Sequence, residues 1–121
     1  MMKTDKIYLL HILESINLIE KYSQGLTYAE FLKNPMIQDA ILRRLEVIGE
    51  AVKKLSDDLK KKYPEIPWRD IAGMRDKLIH HYFGVDLKIV WNTIKKDIPQ
   101  LKEWILRILK DLESKDCYFQ G

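Results

Sequence analysis

An apolar side chain recurs every three or four residues through most of this 121-residue chain, and this spacing constrains the fold more than any other feature. Steps of three and four place side chains on one face of an α-helix, whereas a half-buried strand needs an alternation of period two, which no stretch sustains. The spacing predicts an all-α fold. The longest series lies in the last predicted helix and comprises Leu87, Trp91, Ile94, Ile98, Leu101, Ile105, Ile108 and Leu112.

Turn and capping residues set the bounds of the first two predicted helices. Gly25 is a C-terminal stop for the first helix, and residues 26–33 follow as a loop or short turn. Asn34-Pro35 is the N-cap and first-turn proline of a second long helix, which continues through Leu59 to Lys60-Lys61-Lys62. Gly49 lies inside this helix, where glycine is unfavourable, so we expect a neighbouring backbone to approach there.

The third helix is predicted to begin near Trp68 and to stop at Gly84, and Asp86 caps the last helix. Pro99 should kink the last helix or split it in two, with Asp97 as a new N-cap. The expected architecture is an antiparallel bundle of four to five helices with a kinked last helix.

Length and composition indicate one small cytoplasmic domain. We assign residues 1–115 to a single domain and expect 116–121 to be a tag-derived or disordered tail. No apolar run is long enough to span a bilayer, and a single cysteine cannot form an internal disulfide, which favours a reducing compartment. The net charge of +3 permits a nucleic-acid ligand without demanding one.

The unusual side chains lie together in the segment Arg75-Asp76-Lys77-Leu78-Ile79-His80-His81-Tyr82. Arginine is a permanent, fork-shaped donor suited to phosphate, and histidine exchanges protons near neutral pH. These are the groups that metal-free cleavage of RNA needs, because a base must activate the 2′-hydroxyl and a cation must offset charge on the phosphorus. The structural alternative is that the histidines interact with a helix C-terminus and that Arg75 is paired with Asp70 or Asp76.

No phosphate-binding glycine loop and no cluster of cysteines and histidines with metal-ligand spacing occurs in the sequence, so we predict neither a metal nor a cofactor. Adjacent His80 and His81 diverge on a regular helix and could not both bind one ion.

The spacing Arg75-x4-His80-x-Tyr82 resembles the R-x4-6-H-x-Y motif of the HEPN superfamily, and the surrounding blocks resemble its HepT-like ribonuclease toxins. The blocks are residues 43–51 on the second helix, residues 66–75 before the motif, and residues 82–86 with Val90-Trp91 after it. The three-residue motif alone is common, whereas the ordered set of blocks is specific.

This resemblance implies a HEPN-like helical bundle, usually a homodimer, that acts as a metal-independent RNase. It implies that Arg75 and His80 are catalytic and that Tyr82 is modified with AMP by a partner antitoxin, a minimal nucleotidyltransferase. Asp76 and His81 are possible auxiliary residues, and they differ from the Asn and Asp that many members carry. Asp76 would place a negative charge beside the phosphate site.

Helix geometry adds a constraint that is independent of the family. Arg75 and His80 lie about 140° apart on a regular helix, so one straight helix cannot aim both at one phosphate. The helix must end or distort before His80, or a second subunit must complete the site. Two other functions stay open: a catalytically silent nucleotide- or RNA-binding partner of a nucleotidyltransferase, and a purely structural helical bundle.

Overall fold

The computed structural model describes residues 3–74, 76 and 86–120. All the regular structure in these residues is helical, which confirms the predicted all-α class. The described residues contain seven α-helices and one π-helical turn: α1 (Lys3–Ser23), α2 (Tyr28–Leu32), α3 (Pro35–Lys54), α4 (Asp57–Lys62), α5 (Trp68–Ala72), α6 (Leu87–Asn92), the π-turn (Thr93–Asp97) and α7 (Ile98–Gln120). Among the described residues, no helix has the length and apolar character that crossing a membrane requires.

The core lies between the three long helices, because α1 packs against both α3 and α7. The predicted apolar stripes supply the buried side chains, and each stripe faces the core at intervals of three or four residues. The fully buried positions include Leu9, Ile12, Ile16 and Ile19 of α1, Ile41, Leu45, Ile48 and Val52 of α3, and Ile98, Leu101, Ile105 and Ile108 of α7.

Two predicted features before the second helix differ in their outcome. Gly25 does end the α1 segment, with a φ of 71° that favours glycine, and Asn34 caps α3 by accepting a hydrogen bond from the Ile37 N–H. The predicted loop between them contains the short helix α2. Its start is a capping box in which the Thr27 hydroxyl accepts from the Glu30 N–H and the Glu30 carboxylate accepts from the Thr27 N–H.

The second helix is shorter than predicted, because the chain leaves the helix at Leu55 and begins α4 after Ser56. The Ser56 hydroxyl caps α4 by accepting from the Leu59 N–H at 3.2 Å. Asp5 of α1 accepts from the Ser56 N–H at 2.9 Å and from its hydroxyl at 2.6 Å. The break is therefore fixed both by a local cap and by a carboxylate from another helix.

Pro99 distorts the last helix without splitting it, and the prediction that Asp97 is a new N-cap is wrong. Thr93 and Ile98 keep helical dihedral angles, and the Ile98 N–H donates to the Thr93 carbonyl five residues earlier. Proline lacks an N–H and collides with the carbonyl four residues before it, so the wider turn accommodates the ring. Asp97 consequently lies inside a continuous helical run.

Polar side chains join the loop between α4 and α5 to α7. The Tyr63 hydroxyl donates to the Asp111 carboxylate at 2.7 Å, and Arg107 pairs with Glu65. Burial, followed by the hydrogen bond to Asp111, raises the pKa of Tyr63 to about 12, so the phenol stays protonated and able to donate at ordinary pH.

A close backbone contact at Gly49 holds α5 against α3. A Cβ atom at this position would lie 3.2 Å from the Ala72 carbonyl oxygen, which confirms the predicted approach of a neighbouring backbone. The third helix begins at Trp68 as predicted, α5 ends at Ala72 with a turn at Gly73, and the predicted stop at Gly84 lies outside the described residues. This contact fixes the backbone just before residues 75–82, which we call the motif segment.

Candidate functional site

Most of the predicted site residues lie outside the part of the chain that the structure describes. These are Arg75, His80, His81 and Tyr82. Asp76 is described, and it is helical and exposed. The assignment of Arg75 and His80 to one site therefore stays a prediction.

Both flanks of the motif segment are held firmly. Upstream, the Trp68 indole N–H donates to the carbonyl oxygens of Tyr63 at 3.1 Å and Lys60 at 3.3 Å, and its ring is buried. Downstream, the Asp86 carboxylate accepts from the N–H groups of Lys88 and Ile89, which confirms Asp86 as the cap of α6. Hydrogen bonds therefore anchor the chain both before and after the motif segment.

A cleft of about 360 Å³ lies between these two flanks and the last helical run. Its floor includes Ile98 and Leu101, which are buried in the core. Met74, the residue immediately before Arg75 in the chain, and Ile89 also line the cleft. The complete set of lining residues is Pro67, Asp70, Ile71, Met74, Ile89, Asn92, Thr93, Asp97, Ile98, Gln100, Leu101 and Trp104.

The rim of the cleft carries exposed hydrogen-bonding groups above an apolar floor. They are the carboxylates of Asp70 and Asp97 and the amides of Asn92 and Gln100. No other described residue is hydrogen-bonded or ion-paired to either carboxylate. Sequence analysis did not place these two carboxylates at one cleft: it predicted Asp97 as a helix cap and considered Asp70 only as an alternative partner of Arg75.

A second, shallower groove carries positive charge on the other side of the π-turn. It is lined by Lys21, Lys95 and Lys102, among other residues. Lys102 pairs with Glu20 at 2.7 Å, and the Lys95 ammonium lies 4.6 Å from the centre of the Trp91 ring. The exposed Lys21 and Lys95 suit contact with a phosphodiester backbone.

Comparison with known proteins assigns the chain to a family. The model of the HepT-like ribonuclease family matches residues 12–108, a range that encloses the motif and both of its flanks. The chain belongs to this family, as the motif and its surrounding blocks predicted.

Three relatives illustrate the similarity. A Methanocaldococcus jannaschii protein named "Putative RNase MJ1216" is 50% identical over 111 residues, which is 92% of each chain. "Probable ribonuclease HepT" of Thermococcus cleftensis is 50% identical over 84% of this chain and 93% of its own. A longer M. jannaschii protein, "Gamma-glutamylcyclotransferase and putative RNase MJ0434", is 53% identical over 94% of this chain, which spans about half, 51%, of that relative. No solved structure gives a significant match.

Proposed function

We propose that this protein is a metal-independent endoribonuclease and the toxin of a toxin–antitoxin pair. The observation that carries the proposal is the family match over residues 12–108, which encloses Arg75, His80 and Tyr82 at the spacing of the HEPN motif. Relatives that are about half identical carry ribonuclease names, which supports RNA as the substrate.

Arg75 binds the scissile phosphate and offsets the charge that builds up on it during attack. His80 acts as a general acid or base, since a base must remove the 2′-hydroxyl proton and an acid must protonate the departing 5′-oxygen. The reaction breaks the bond from phosphorus to the 5′-oxygen and forms one to the 2′-oxygen. Its products are a 2′,3′-cyclic phosphate and a 5′-hydroxyl end. Asp76 and His81 stand beside these residues as possible auxiliary groups.

The chemistry of this proposal requires no metal ion, and a chelator tests it. Purified protein should cleave RNA at an unchanged rate in excess EDTA, and the new 5′ ends should accept phosphate from a polynucleotide kinase without prior phosphatase treatment. Loss of cleavage in EDTA with recovery in Mg²⁺ would refute the Arg/His mechanism, since metal-assisted phosphoryl chemistry behaves in that way.

Tyr82 serves as the off-switch in this proposal. A cognate minimal nucleotidyltransferase antitoxin attaches AMP to the phenol, which displaces pyrophosphate from ATP. The added phosphodiester competes for Arg75 through the same charge-assisted hydrogen bonds that hold RNA, and the adenosine blocks the site.

We predict that Tyr82→Phe escapes this switch while it keeps its fold. Wild type incubated with the nucleotidyltransferase and ATP should gain the mass of AMP and lose RNA cleavage, whereas Tyr82→Phe should gain no mass. Intact-protein mass spectrometry and an RNA cleavage assay measure both effects. Equal adducts on the two proteins would place the modification elsewhere, and a modified wild type that still cuts RNA would end the switch hypothesis.

We propose a cytoplasmic homodimer in which residues 1–115 form the functional domain. Exposed apolar side chains on α1 support the dimer, because Ile7 is 51% and Leu10 45% exposed.

Two alternatives give different results in the same assay. A catalytically silent HEPN module would bind RNA or a nucleotide without turnover. A purely structural bundle would do neither. The family match favours the RNase over both.

A further inference from the structure

The cleft beside the motif segment has a position that bears on substrate recognition. Met74, which directly precedes Arg75 in the chain, lines it. Ile89, three residues after the Asp86 cap, also lines the cleft. The cleft is therefore lined by residues that precede and follow, in the chain, the segment that carries the proposed phosphate-binding Arg75.

The cleft has the size and the lining of a site for a small, partly apolar ligand. Its volume of about 360 Å³ falls within the range of small-molecule sites, about 300–1,000 Å³. Trp104 is half-buried at its wall, and Ile98 and Leu101 form an apolar floor. Single-stranded RNA is commonly read by bases that leave the stack and lie against such aromatic and apolar side chains.

The charge at the rim excludes a phosphate and selects hydrogen-bond donors. Ionised Asp70 and Asp97 are acceptors only, and each can accept two parallel hydrogen bonds. Among the bases, guanine presents two adjacent donors, N1–H and the 2-amino group, beside the O6 acceptor. A carboxylate can bind the two donors, and the amide of Asn92 or Gln100, also at the rim, can donate to O6.

We propose that this cleft is a nucleobase site that holds a guanine of the RNA substrate next to the scissile phosphate. The proposal rests on the proposed ribonuclease function and adds a sequence preference to it. Trp104 stacks on the base, and the carboxylate of Asp70 or of Asp97 accepts from its N1–H and its 2-amino group.

A binding experiment tests the site without relying on cleavage. The Trp104 indole resonance in a ¹H–¹⁵N spectrum, assigned with Trp104→Phe, should shift on titration with guanosine monophosphate. The buried Trp68 indole, which already donates to backbone carbonyls, is an internal control and should not move. Inorganic phosphate should have no effect, and uridine monophosphate should bind more weakly. Equal shifts with phosphate or uridine monophosphate would overturn the proposal.

Variants of the rim test the assigned acceptors. At least one of Asp70→Asn and Asp97→Asn should weaken binding of guanosine monophosphate about tenfold, within the range for loss of a bidentate base contact. Asp39→Asn removes an exposed carboxylate from α3, outside the cleft, and should bind as wild type does. Wild-type affinity in both cleft variants would overturn the assignment.

An RNA cleavage assay then shows whether the cleft binds a base of the RNA substrate or only a free nucleotide. The same assay tests the base site and the proposed ribonuclease function separately. Guanosine monophosphate should compete with RNA, and cuts should cluster beside guanines in wild type and lose that preference in the weakened variant. Binding without competition would overturn the substrate role. Carboxylate-dependent binding in a protein that never cuts RNA would refute the ribonuclease and leave the base site standing, whereas cleavage with no Trp104 shift would refute the base site alone.

Discussion

A single carboxylate, Asp5, joins the first helix to the break between α3 and α4. It is 2% exposed, and both of its oxygens accept hydrogen bonds from Ser56, from the N–H and from the hydroxyl. The same hydroxyl accepts from the Leu59 N–H, so one side chain connects α1 to the first turn of α4. Hydrogen bonds to a charged group are among the stronger ones, so their loss should be measurable.

We predict that Asp5→Ala lowers the free energy of unfolding by about 2–3 kcal/mol, because it leaves the Ser56 N–H without its acceptor. The matched control is Asp39→Ala, an exposed carboxylate whose removal should change the free energy by no more than about 0.5 kcal/mol. Urea denaturation followed by circular dichroism measures both. Equal stability of the two variants would show that the Asp5 contacts contribute nothing net.

Sequence reasoning could not identify the role of Asp5, because an acidic residue in a first helical turn is also typical of a solvated surface position. Only the packing of α1 against α3 brings it to Ser56, which lies 51 positions away in the chain. The local cap at Ser56 was accessible, since Ser56-Asp57-Asp58 is a good start signal, but the apolar spacing through Leu55 and Leu59 obscured it.

At the scale of helices, the contact of α5 with α3 places the entry to the motif segment. The ideal Cβ position at Gly49 is 3.2 Å from one backbone carbonyl oxygen, that of Ala72, and 3.6 Å from another, that of Ile71. A carbonyl in a helix cannot move aside as a flexible side chain can. The sequence indicated this contact correctly, because a glycine inside a strongly periodic helix needs a packing reason.

We predict that Gly49→Val destabilises the protein by at least about 2 kcal/mol and lowers RNA cleavage, because α5 must move away from α3 and displace the start of the motif segment. Gly73→Ala is the control for stability, since its Cβ would lie 3.4 Å from the Arg69 carbonyl oxygen and the backbone φ is −87°. Thermal unfolding compares the two. A valine variant as stable as the alanine control would contradict the packing argument.

Helix bounds were predictable where a cap stands alone and not where two patterns overlap. Asn34-Pro35 and Asp86 are strong local caps, and both predictions are confirmed. Pro99 correctly predicted that the last helix is distorted. The type of distortion, a π-turn over Thr93–Asp97, depends on the packing of both halves of the helix into one core. That turn also places Asp97 at the cleft, which no local signal indicated.

At the scale of the whole molecule, α1 presents more apolar surface than α3 and α7 cover. Ile7 and Leu10 are about half exposed and lie one turn apart on one face of the helix. Exposed apolar surface of this kind is typical of an interface between subunits.

We predict that light scattering at micromolar concentration gives about twice the 14.4 kDa mass of the chain. Leu10→Glu should shift the protein toward monomer, because burying a charge in the interface is unfavourable. Met36→Glu, at a position that is 77% exposed on α3, is the matched control and should remain dimeric. A monomeric wild type would refute the dimer, and dissociation by Met36→Glu alone would place the interface elsewhere.

In the proposed mechanism Arg75 and His80 cleave RNA, and one rate comparison tests this most directly. RNA cleavage in excess EDTA should fall on the order of 10²-fold or more in Arg75→Ala and in His80→Ala, with unchanged circular dichroism. Arg69→Ala and His11→Ala, which remove an exposed arginine and an exposed histidine elsewhere, should cleave at the wild-type rate. Wild-type rates in either motif variant would contradict the claim and make that residue structural.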